Sequence, residues 1–173
     1  MTDPALPLRR FIRKLELPVG FEAPRRLGYD GIEAIALSRE DLEDDILGIN
    51  ESVPLIQRTR GGGWPNGPVE RDFNFVDLVW HEQEFREGSS FSYVVRDADG
   101  KYMGCCYLYP MGLRTELREE LLSHDVDVSW WVTPAAYEAG KYRTLYAALR
   151  EWATAEFPFS NPYYSNLEIP PDP

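Results

Sequence analysis

The six residues Ala139, Gly140, Lys141, Tyr142, Arg143 and Thr144 stand directly before the most regular amphipathic run in the chain. A helix start leaves backbone N–H groups without internal partners, and its dipole draws negative charge. Lys141 and Arg143 would fall in that first turn, where two cations are mildly unfavourable unless something compensates them. A phosphate or pyrophosphate would do so. The other reading is a plain helix start, with Glu138 as the compensating charge.

The rest of the chain offers little competing chemistry. Cys105 and Cys106 are its only cysteines, and neighbours in a strand point to opposite faces, so they read as core fillers and not as a disulfide. With His81 and His124 as the only histidines, no metal-ligand cluster is expected, and His124 reads as an exposed loop residue. The net charge of −11 opposes nucleic-acid binding, which needs a basic surface to displace counterions. Residues 1–26 depart from that balance, carrying Arg9, Arg10, Arg13, Lys14, Arg25 and Arg26 against three acids. There is neither a long apolar stretch nor a basic-plus-apolar leader, so the expectation is a cytoplasmic protein without a membrane partner.

The elements around the loop follow from patterning. At 173 residues the chain suits one domain, here an extended arm over 1–31 followed by a single domain over 32–173. The arm is broken by prolines and glycines and has room for one short strand or helical turn. Ile32–Leu37 reads as a strand. Ser38 with Asp41 reads as a helix start, the helix covering 39–47 and stopping near Gly48 or Asn50. "RTRGGGWPNGPVE" reads as a flexible connection, a candidate lid with Trp64 at its tip. Asn74 is the expected cap of a second helix ending at Gly88, with Phe75, Leu78, Val79, Glu82, Phe85 and Arg86 at helical spacing and a Glu82–Arg86 pair across one turn. A hairpin with strands near 91–96 and 101–109 follows, and Gly104 allows a close neighbour or a bulge. In "DVDVSWWVTP" Val126, Val128, Trp130 and Val132 share one face, while Asp127, Ser129, Trp131 and Thr133 share the other. Tyr142, Leu145, Tyr146, Leu149 and Trp152 mark the long helix over 141–156, and a last strand is expected around 163–169, parallel to the strand at 126–132. The fold class is α+β: a mixed, mainly antiparallel sheet packed by helices on both faces.

Residues 91–157, with the hairpin "YVVRDADGKYMGCCYLYP", then "VDVSWWVTP", a short loop and a long helix, resemble the core of the GNAT superfamily of N-acetyltransferases. The strand and two helices over 32–90 agree with that order. The family's loop reads Gln/Arg-x-x-Gly-x-Gly/Ala. Here it is "YEAGKY", so Gly140 matches while Tyr137 and Tyr142 depart from the pattern.

The resemblance implies acetyl-CoA as cofactor and an amine of a small molecule or peptide as acceptor. It places Ala139, Gly140, Lys141, Tyr142, Arg143 and Thr144 around the pyrophosphate of coenzyme A, with Tyr142 either crowding the site or turned to the core. It also sets the backbone of Trp131 and Val132 beside the pantetheine arm and thioester, where an N–H can stabilise an oxyanion. Direct transfer needs a proton acceptor, for which Asp127, Glu82 and His81 are candidates, and a general acid, for which Tyr164 or Tyr163 is. The family's further helix and two strands have no counterpart before the proline-rich end. The chain is thus expected to be a C-terminally short member whose open sheet edge a homodimer would cover. The alternative is a non-catalytic relative that binds a ligand or protein, because fold does not establish chemistry.

Overall fold

The computed structural model describes residues 14–172; Arg9, Arg10 and Arg13 of the expected arm lie outside the described residues. Alternating and β-branched runs form six strands: β1 (Arg26–Tyr29), β2 (Ile32–Ala36), β3 (Phe91–Asp97), β4 (Tyr102–Tyr109), β5 (Val126–Val132) and β6 (Pro162–Tyr164). They lie side by side in chain order as one sheet, each pair antiparallel except β5–β6. That last pair is parallel, as the crossover helix requires. The short strand allowed for in the arm is β1, which pairs with β2, so part of the expected arm belongs to the sheet.

Among the described residues, four α-helices cover the sheet: α1 (Leu42–Thr59), α2 (Arg71–Glu87), α3 (Pro134–Glu138) and α4 (Lys141–Ala155). Leu42, Ile49 and Ile56 of α1 and Leu78 of α2 pack with Val94, Cys105, Tyr107 and Trp131 on one face. Tyr142, Leu145, Tyr146, Leu149 and Trp152 of α4 pack with Tyr93, Cys106, Val128 and Trp130 on the other. Burying each such side chain contributes about 1.5–3 kcal/mol. The two cysteines face opposite layers, as strand alternation requires.

Several local expectations give way to packing. Ser38 does form a capping box with Asp41, but it caps a 3-10 turn that leads into α1. That helix runs through Gly48 and Pro54 to Thr59, well beyond residue 47. The stripe Leu42, Ile49, Ser52 and Ile56 is buried, and this burial outweighs the local cost of a glycine and a proline. Asn74 is no cap. It is buried inside α2, which begins at Arg71, and donates to Asp45 Oδ2 at 2.8 Å. Burial raises the Asp45 pKa, against the opposing hydrogen bonds from Tyr102, Asn74 and Cys105. Of the expected α2 stripe, Leu78 and Phe85 are buried and Phe75 is exposed. Gly88 ends α2 in the left-handed conformation, as read. The last strand stops at Tyr164, short of 169, because the chain then makes a different contact with β5.

Candidate functional site

Thr133 and Pro134 are the N-cap and first residue of α3, a short turn of helix that the alternation of β5 did not announce. Gly140, at φ 77°, joins α3 to α4. The amides of Ala139 and Gly140 are used by α3, donating to Ala135 O and Tyr137 O, and Thr144 N donates to Gly140 O. Lys141 and Arg143 fall in the first turn of α4, directly after this left-handed Gly140. Tyr142 does not crowd this turn. Its ring is 4% exposed, packs 5.3 Å from Trp130, and its hydroxyl donates to Glu168 O at 2.6 Å. Burial pushes its pKa upward. Gly140, Arg143 and Thr144 line a shallow cavity of about 220 Å³ with Tyr29, Asp30 and Pro171. The residues present therefore fit an anionic group such as a diphosphate.

The slot that would take the pantetheine arm is different. Beyond Tyr164 the chain keeps to the β5 edge: Ser165 N donates to Val128 O at 3.0 Å. The Asn166 amide then accepts from Trp130 N at 3.1 Å and donates to Trp130 O at 2.9 Å, replacing a strand with one side chain. It also donates to the Tyr142 hydroxyl at 2.7 Å. Glu168 N donates to Thr59 O at 2.9 Å, and its carboxylate accepts from the Tyr137 hydroxyl and pairs with Arg58. The gap beside Trp130 is filled by the chain itself. Trp131 points the other way, its Nε1 donating to Tyr107 at 3.0 Å. With residues 165–168 in place, an extended thioester arm does not fit here.

The catalytic candidates do not converge. Asp127 is fully buried, and it accepts from Thr115 Oγ1 at 2.6 Å and from Ser165 Oγ. Tyr164 lies on the opposite face, edge-on to Tyr146, with its pKa pushed up to about 12 by burial, against the charge of Arg150. Glu82 pairs with Arg39 at 2.7 Å and not with Arg86; this hydrogen bond keeps its pKa low, so it is a poor proton acceptor. Tyr163 sits 5.2 Å from the ring of His124, which is half-buried and not the exposed loop residue expected.

His81 is held differently. Burial opposes its charge, but Asp77 and Glu84, each 3.4 Å away, outweigh it and raise its pKa to about 9. It is therefore already protonated at pH 7 and cannot serve as a base. A raised histidine pKa stabilises the fold fully below the unfolded value near 6.5, and that contribution disappears as pH rises through about 9. The amount at stake is roughly 3 kcal/mol. Urea midpoints taken from pH 6 to pH 10 should fall across this window, and His81→Asn should flatten the profile. An equally steep fall in the variant would mean that other groups carry it.

Sequence reasoning missed Asn166, Arg60 and Arg114. Asn166 falls within the expected last strand and Arg60 within the expected loop. In the structure Arg60 is buried beside Ser129 and Tyr107, and Arg114 donates to Arg60 O, Gly61 O and Ser165. Nothing local distinguishes such side chains, because their partners come from distant strands. Among the described residues, no helix is long and apolar enough to cross a membrane, and no group of histidine, cysteine and carboxylate side chains is placed to hold a metal ion.

No family model and no curated protein matches the chain in sequence. Solved structures do match in shape. The ribosomal L7/L12 alpha-N-protein acetyltransferase RimL in complex with coenzyme A superposes with a TM-score of 0.54 at 11% identity, over 76% of this chain and 70% of that one. A GNAT-family acetyltransferase from Bordetella pertussis, described as putative, gives 0.53 at 16% identity, over 76% and 74%. The ribosomal-protein-S5-alanine acetyltransferase from Vibrio fischeri gives 0.53 at 10%, over 75% and 68%. At such identities the likeness concerns the fold, and the layered, mainly antiparallel sheet described above is the GNAT acyltransferase fold.

Proposed function

We propose that the protein is a divergent GNAT-superfamily N-acyltransferase that takes acetyl-CoA and an amine of a small molecule or peptide. The observation that carries this reading is the first turn of α4. Lys141 and Arg143 bring positive charge to this helix start, and the bulky Tyr142 between them is drawn into the core. Such a turn suits a diphosphate. The bound cofactor would supply the activated acyl group. The chain's part is to hold its phosphates at residues 141–143 and to present the β5 edge at Val132 to the acyl carbonyl.

A second reading has its own observation. Asn166 already satisfies both backbone groups of Trp130, which favours a non-catalytic, ligand-binding relative. Transfer requires residues 165–168 to leave the slot. Calorimetric titration with coenzyme A and acetyl-CoA, followed by an acetylation assay on an amine panel, separates the two. Heat with both ligands and acetylated product supports the transferase; binding without product supports the second reading. Silence with both ligands removes the first.

Changing Lys141 and Arg143 together to alanine should weaken coenzyme A binding about tenfold or more, since each loses an exposed charge contact with phosphate at a helix start. An unchanged dissociation constant would show that neither side chain meets the phosphates.

A further inference from the structure

Arg60 closes the C-terminal end of α1 with 6% of its surface exposed. Its Nε donates to Ser129 Oγ at 3.2 Å, and its guanidinium carbon lies 4.4 Å from the Tyr107 ring centre and 5.7 Å from that of Trp64. Among the described residues no hydrogen bond or ion pair is seen at either Nη, and neither is sealed from solvent, so both keep donors open to a ligand. A guanidinium is always charged and has five N–H donors, and ring contacts use none of them.

Among the neighbouring charges, His81 is matched, lying between Asp77 and Glu84. Arg114 donates to Ser165 Oγ, which in turn donates to Asp127. Burial first, then the charge of Arg60, lowers the Arg114 pKa to about 10. Arg60 and Arg114 line one cavity of about 230 Å³ with Trp64, His81, Tyr107 and Tyr109.

We infer that this cavity binds a small carboxylate-bearing ligand, the Arg60 Nη pair taking the carboxylate while Trp64, Tyr107 and Tyr109 cover its apolar body. The planar fork of arginine matches two carboxylate oxygens. The volume lies below the roughly 300–1,000 Å³ of sites for drug-sized molecules, so the ligand is small. Asp77 on the same lining disfavours a dianion more than a monoanion. The local charge is opposite to the acidic balance of the whole chain, which by itself points to a cationic acceptor. If acyl transfer holds, the carboxylate is a second functional group of the amine acceptor; the binding inference stands without it.

The test uses the full chain without coenzyme A, titrated with phenylacetate and with phenylacetamide, and followed by tryptophan fluorescence and calorimetry. Phenylacetate should bind about tenfold or more tighter than the neutral amide, as expected for a charged hydrogen-bonded pair. Arg60→Gln should erase that preference, with circular dichroism verifying its fold. The acid–amide comparison on the parent decides the matter if the variant does not fold. Equal binding of acid and amide, a folded variant that keeps the preference, or tighter binding of inorganic phosphate than of phenylacetate would overturn the inference. Carboxylate binding in a chain that is silent with coenzyme A upholds the cavity and rejects the transferase; the reverse pattern does the opposite.

Discussion

Alanine at position 104 should leave little folded protein. An added Cβ would sit 2.1 Å from the Trp131 carbonyl oxygen and 2.8 Å from Val132 Cα, both backbone atoms of β5. The backbone there has φ +144°, which L side chains rarely adopt. Neither obstacle can rotate aside without parting β4 from β5. The cost is about 4 kcal/mol or more, a large share of the 5–15 kcal/mol typical of a domain.

The same glycine decides which way its neighbours in β4 face. Register shifts here, with Val95 opposite Gly104 and Arg96 opposite Tyr102. The shift turns Tyr102 to the face of Cys105, where its hydroxyl donates to Asp45 at 2.6 Å, and Met103 to the face of Cys106. Gly48→Ala is the informative contrast. Its Cβ would lie 2.3 Å from the Tyr102 ring, a side chain and not a main chain, so about 1–3 kcal/mol is expected. Thermal melts and soluble yields of both variants check the ranking, and a Gly104→Ala protein melting near the parent would show that the bulge can relax.

Asn166→Ala should lower stability by about 3 kcal/mol. Its amide serves Trp130 N, Trp130 O and the Tyr142 hydroxyl in a place 7% exposed. Leaving a buried polar group unsatisfied costs about 1–3 kcal/mol, and partial entry of water softens the sum. Urea midpoints at unchanged slope measure it. The same change should tighten coenzyme A binding if the cofactor uses this edge. A ligand that must first displace residues 165–168 sees its affinity reduced by the fraction of molecules in which they are displaced, and the variant raises that fraction. Lower stability with unchanged affinity would mean that the cofactor, if bound, leaves the β5 edge alone. Unchanged stability would mean that the amide is not seated as described.

Much of the scaffold was legible from local chemistry. The hairpin over 91–109, the alternation of 126–132, the α4 stripe, the parallel last pair and the turn at Gly140 all follow from periods of two and 3.6 and from a few glycines and prolines. Local signals misled where long-range burial outweighed them. Gly48 and Asn50 read as stops, yet α1 continues because Ile49, Ser52 and Ile56 are buried under the sheet. Asn74 reads as a cap, yet Asp45 from another helix claims it.

The site divides along the same line. The sequence by itself determined where α4 starts and that Lys141 and Arg143 sit in its first turn, because helix starts and cationic side chains are local properties. Only the tertiary structure decided that Tyr142 turns inward, that Asn166 fills the edge beside Trp130, and that Arg60 is buried beside Ser129. Each of those facts depends on partners 24 to 69 residues away. No local pattern encodes such distances; the packing of the finished sheet sets them.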